Sequence, residues 1–264
     1  MLLRADNRGM RLGDGAQLMR ASYQLVRSRP ALLWFPLAST GCLVLVSGFW
    51  IYEGAWLYAA NGPRLLFVPL ILAGLYALMF IGIFFNVGLA VCADEALAGR
   101  ETSFGEGVSL AWSRFGAIAG WAAYSLFVAF VVGLISRWSK WAGRAAEVAW
   151  NFATFFVVPL IALEGLDSST ARQRSMQLAA ADWQEEAGGL GALQATLLIP
   201  MVLFALDGKL LFSGHVHSGS GRALLGLGLL CGFAVGTAAS VVRQVFAVTL
   251  YRDGPAGGDA ALAA

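Results

Sequence analysis

The chain has 264 residues, 58% of them hydrophobic and 13% charged, with a formal net charge of +2 and a mean hydropathy of +0.69. Soluble domains carry about 25% charged residues, and a domain of this size must still cover its surface with water-compatible groups. The composition therefore excludes an ordinary soluble protein and points to lipid as the outer solvent, while so small a net charge excludes nucleic acid as a partner.

Residues 1–13 read as a disordered basic tail on the cytoplasmic side. Met1 to Pro30 holds six arginines and no apolar run long enough for a signal peptide, so the first apolar run is expected to be a retained anchor. From Asp14 to Arg29 a helical period puts Leu18, Met19, Ser22, Leu25 and Val26 on one side and Arg20, Gln24 and Arg27 on the other. That pattern predicts an amphipathic helix at the membrane interface.

Six spans follow, at about 32–52, 65–93, 115–136, 145–163, 190–206 and 223–242, within one membrane domain covering 14–252. The first carries Trp34 and Phe35 at one end and Trp50 and Tyr52 at the other, as rings do at the headgroup level. Asn61-Gly62-Pro63 marks a turn between the first two. Ser103 and Glu106 form a capping box ahead of a short helix. Between the third and fourth spans Arg137, Lys140 and Arg144 cluster beside Trp138 and Trp141, which suits a helix in the outer headgroup region. The fourth span is interrupted by Thr154 and Pro159, ends on Glu164, and leads through a turn at 165–169 into a third surface helix. Residues 207–222 form an outer loop, and 253–264 a disordered tail.

The fold class is thus all-α: a polytopic helical membrane protein with six transmembrane helices and cytoplasmic amphipathic helices. Twelve basic residues fall in the inner segments against six in the outer ones, which places both termini in the cytoplasm of a multi-pass protein of the inner membrane. Leu12-Gly13-Asp14-Gly15, Phe104-Gly105-Glu106-Gly107 and Ser175-Met176-Gln177-Leu178 stand at comparable places before successive hairpins, a threefold helix-plus-hairpin repeat. Duplication and the shared requirements of helix starts both explain it.

Ionisable groups inside a membrane are functional candidates by default. Asp94, Glu95 and Glu164 close spans at the inner side, and Arg243 stands at the end of the sixth, so a structural ring at one depth is expected, with Arg243 paired to these acids and to Glu164 first. An ion path is the competing reading, but no acid or base lies at the centre of a span. Asn86 and Asn151 are candidates for hydrogen bonds across helices. Gly228, Gly232, Gly236 and Ser240 recur every fourth position, a face that admits a close neighbour helix from this chain or from another copy.

Cys42, Cys92 and Cys231 share no disulfide or zinc spacing and are read as small apolar residues. His215 and His217 lie in a Gly/Ser-rich loop without further ligands, so no metal site is expected. No nucleotide, serine-hydrolase or metalloprotease motif is present, so neither a cofactor nor catalytic residues are expected.

Leu33-Trp34-Phe35-Pro36-Leu37, Phe84-Phe85-Asn86, and Phe155-Phe156-Val157-Val158-Pro159 with Glu164-Gly165 together resemble a bacterial and archaeal family of six-span membrane proteins of unknown function, over about residues 15–252. The resemblance implies a shared helical fold in the cytoplasmic membrane and carries no catalytic residues across. The reading is a non-enzymatic structural or accessory membrane component. Its partners would be the bilayer, a second copy or another membrane protein; the alternative is a small transporter or permease for a lipid-like or small solute.

Overall fold

The computed structural model describes Gln24 and residues 28–101, 103–179 and 236–252, and the regular structure among them is helical throughout. The candidate amphipathic helix before Arg29, the fifth span, and Gly228 and Gly232 of the sixth lie outside the described residues, so the full set of six spans is not covered. Among the described residues four stretches, Pro30–Ala59, Arg64–Leu97, Phe115–Trp138 and Lys140–Glu164, are long and apolar enough to cross a membrane.

A 3-10 turn, Pro30–Leu33, leads into α1 (Trp34–Ala59), and a second, Arg64–Leu66, leads into α2 (Phe67–Leu97). Pro36 and Pro69 each stand third in their helix, where a missing N–H removes no intrahelical bond. Asn61 takes a left-handed φ of 49° in the Asn-Gly-Pro turn between the two helices. α1 runs on to Ala59, past the Tyr52 boundary expected from the sequence, so the connection shrinks to residues 60–63. The pair packs as a hairpin in which Trp50 lies over Gly74. Away from that seam its apolar side chains face outward, Leu45 at 75% and Leu65 at 80% exposure. So large an exposed apolar face is tolerable where the outer solvent is lipid.

α3 (Phe104–Ser113) begins with the expected capping box. The Ser103 hydroxyl accepts from the Glu106 amide at 3.2 Å, and the Glu106 carboxylate accepts from the Ser103 amide at 2.8 Å. α4 (Phe115–Trp138) follows through Arg114, and after Ser139 α5 (Lys140–Ala153) returns antiparallel to it. Trp150 stacks on Trp121 at 5.5 Å between ring centroids, and Gly143 lies against Ser136.

The fourth span departs from the continuous helix expected over 145–163. Pro159 offers no N–H to the carbonyl of Phe155 and its ring crowds that group, so the helix opens at 154–156. It resumes as α6 (Val157–Pro159) and a π-helical turn, Leu160–Glu164, which Gly165 ends with φ 68°. Asp167 then caps α7 (residues 168–179), accepting from the Ser169 hydroxyl and from the amides of Ser169 (3.0 Å) and Thr170 (3.4 Å). Those hydrogen bonds, with the Ser169 hydroxyl foremost, hold its carboxyl well below the usual range.

α7 lies beside α4 and runs in the same direction. Ser168 meets Gly120, and four residues on, the Arg172 guanidinium covers the Tyr124 ring at 4.3 Å. Ala171, Ser175 and Ala179 are its buried stripe. The last described helix, α8 (residues 236–252), continues ten residues past the expected end of the sixth span at 242.

The core lies at one end of the bundle, where the second half of α2 meets α3, the start of α4, the 155–162 segment and α8. Phe35 belongs to it at 1% exposure, so the ring expected at the headgroup level is a core side chain, whereas Trp34 is 63% exposed. Phe35 packs tilted against Phe104 at 4.7 Å between centroids and sits over the point where Gly88 of α2 and Gly107 of α3 touch.

Candidate functional site

The acids singled out in the sequence sit at the core end of the bundle, Asp94 and Glu164 against partners from other elements and Glu95 against a neighbour in the chain. In the last turn of α2, Asp94 is paired by Arg252, whose Nη1 lies 3.1 Å from Oδ1 and also donates to the Asp94 carbonyl at 2.9 Å. Glu95 is paired by Arg100, just beyond the end of α2. Glu164, the last residue of the π-helical turn, accepts a hydrogen bond from the Tyr251 hydroxyl and has Arg174 of α7 at 3.6 Å. Because Tyr251 and Arg252 are neighbours on α8, one turn of that helix ties both Asp94 and Glu164. The arrangement is a polar layer in which α2, α7, α8 and the π-helical turn are joined by side chains.

Arg243 does not take part. It stands nine residues before Arg252 on the same helix, about 13 Å away along the axis at 1.5 Å per residue. It is exposed and forms no ion pair among the described residues. The expected Arg243–Glu164 pair is therefore replaced by Tyr251 and Arg174 on Glu164. The reason is helix length: residues 245–251 are buried, so α8 continues through the core before reaching the depth of the acids. The apolar run from Phe246 to Tyr251 was the signal in the sequence, since it leaves Arg243 inside the apolar stretch and Arg252 at its end.

Asn86 and Asn151 are both exposed, and among the described residues neither makes a hydrogen bond across helices. Gly236 is half-buried and Ser240 exposed, its hydroxyl bonded back to the Thr237 carbonyl at 2.8 Å. The close small-residue contact described here lies elsewhere. A Cβ on Gly107 would stand 2.8 Å from the Gly88 carbonyl oxygen, 2.5 Å from Phe35 and 2.7 Å from the Cys92 sulfur.

Sequence reading also missed Ser175. Its buried hydroxyl donates to the Ala153 carbonyl at 2.8 Å and accepts from the Phe156 amide at 3.2 Å. Both are backbone groups released where the fourth span opens. Chemically, the layer and this bridge hold elements together; among the described residues no group of three or more candidate metal ligands occurs.

Disrupting the layer has a distinct signature. In a double-mutant cycle, Glu164→Gln and Tyr251→Phe are expected to cost less together than the sum of their single effects, while Glu164→Gln and Arg243→Gln should add. Thermal unfolding in lipid nanodiscs measures both. Coupling to Arg243 and none to Tyr251 would reverse the assignment.

A family described as a family of unknown function (DUF6159) matches residues 64–259. No curated protein and no solved structure matches the chain.

Proposed function

We propose, for a chain that belongs to the family of unknown function DUF6159, a non-enzymatic structural or accessory role as an integral protein of the cytoplasmic membrane. The observation that carries it is the polar layer. Asp94 and Glu164 are each held by a base from another element, and Glu164 by a phenol as well, while Glu95 is paired locally by Arg100. Carboxylates so engaged are poised to fasten helices rather than to exchange protons or ions, which transporters carry on groups near the bilayer midplane. In this reading the chain has six spans, both termini are cytoplasmic, and its partners are the bilayer and a second copy or another membrane protein.

A vesicle assay separates this role from transport of a lipid-like solute. Purified protein is reconstituted into liposomes holding a fluorescent phosphatidylcholine on both leaflets, and dithionite is added outside. Bleaching is expected to stop at the outer-leaflet fraction, as in empty vesicles. Complete bleaching with vesicles intact would make the protein a lipid mover and displace the structural reading. For topology, a cysteine placed in the 207–222 loop should react with an impermeant maleimide in intact cells; reaction only after permeabilisation would invert the orientation.

A further inference from the structure

An open groove of about 820 Å³ runs along α5 and is closed on one flank by α7. Its mouth is Trp141 and Arg144, its wall Val148 and Phe152, and its far end Met176 and Ala179. The volume falls in the range of sites that enclose small-molecule ligands, about 300–1,000 Å³. Apart from Arg144 and the indole N–H of Trp141, its lining side chains are apolar.

The two ends differ in charge and in polarity. At the mouth, Arg137, Lys140 and Arg144 are exposed and form no ion pair among the described residues. The nearest acid on α5, Glu147, is exposed one turn on and does not line the groove. Trp138 and Trp141 flank these bases at 94% and 84% exposure, the placement of indoles at a membrane–water boundary. From Trp141 to Ala153 the groove follows α5 for about 18 Å at 1.5 Å per residue, close to the depth of one hydrocarbon leaflet, about 15 Å. Because α5 runs antiparallel to the span-length α4, the groove points the way an acyl chain does.

We propose that this groove holds an acyl chain of one anionic phospholipid, with its phosphate at Arg144 and with Lys140 and Arg137 adding positive charge beside it. An acyl chain needs no hydrogen-bond partners, and the walls offer almost none. An extended peptide segment would have to leave backbone groups unpaired there. A zwitterionic headgroup would bring a cation of its own against three bases, so the site selects for net negative charge.

The test places the photoreactive residue p-benzoylphenylalanine at Val148, in nanodiscs of equal parts phosphatidylglycerol and phosphatidylcholine, with adducts identified by mass. Phosphatidylglycerol adducts are expected to exceed phosphatidylcholine adducts about fivefold, the factor that one basic side chain near an anionic surface is worth. The preference should fall towards one in Arg144→Gln and survive in Arg144→Lys. It should also weaken in the unsubstituted background as salt rises, so the result does not depend on one variant folding. Equal labelling of both lipids would mean ordinary solvation by the bilayer. Cross-links within this chain or to a second copy would mean that protein fills the groove, and an unchanged preference in Arg144→Gln would remove the headgroup assignment. Each of these three outcomes overturns the proposal.

Discussion

Gly107→Ala is expected to lower the thermal unfolding temperature by about 5–10 °C, from an overpacking cost of about 2–3 kcal/mol. The new methyl group would meet the Gly88 carbonyl oxygen at 2.8 Å, which cannot move without shifting α2, and the Phe35 ring and Cys92 sulfur are as close. The contact is reciprocal, because a Cβ on Gly88 would stand 3.0 Å from the Gly107 oxygen and 2.8 Å from Phe35. Gly133→Ala, inside α4, is the comparison. Nothing lies within 4 Å of that position, and alanine in a helix interior is favoured over glycine by about 0.5–1 kcal/mol, so no loss or a small gain is expected. Unfolding in nanodiscs followed by intrinsic fluorescence distinguishes them. Equal tolerance of both substitutions would mean that α2 and α3 do not cross closely in the membrane.

Ser175→Ala is expected to cost about 2–4 kcal/mol, because two buried backbone groups lose their partner at about 1–3 kcal/mol each. The Phe156 amide and the Ala153 carbonyl both sit where the fourth span has opened, and the Ser175 side chain is fully buried. Hydrogen exchange offers a local readout, since the Phe156 amide should exchange markedly faster in Ser175→Ala. Ser113→Ala serves as the exposed control: its hydroxyl only returns to the Leu110 carbonyl at 2.7 Å within its own helix, and its effect should stay within about 0.5 kcal/mol. Unchanged protection at Phe156 would show that water or another group satisfies the opened backbone.

The features legible before folding are local or one-dimensional. Apolar runs of span length give the helices, because a backbone in lipid must bond internally. Ser103 and Glu106 announce the start of α3, and Asn61-Gly62-Pro63 announces the turn, because these depend on residues within one turn of each other. The family resemblance rested in part on the Phe155–Pro159 segment with Glu164-Gly165, and the family match at 64–259 includes it, whereas the opening of the helix before Pro159 was not expected.

Tertiary structure decided the pairings. The ring of acids was legible from where apolar runs end, yet the base assigned to it was wrong, since a cation's depth depends on how far its helix continues. Nine residues separate Arg243 from Arg252, about 13 Å, more than three times the 4 Å reach of an ion pair. Phe35 resembled a headgroup anchor because it adjoins Trp34, but successive helical residues point about 100° apart, and only the neighbouring α2 and α3 determine which of them is covered. The Gly88–Gly107 crossing and the Ser175 bridge join positions 19 and 19–22 residues apart. Neither has a periodic signature, because each needs one residue of the right size or polarity at one point in space, and that point exists only once the helices have packed.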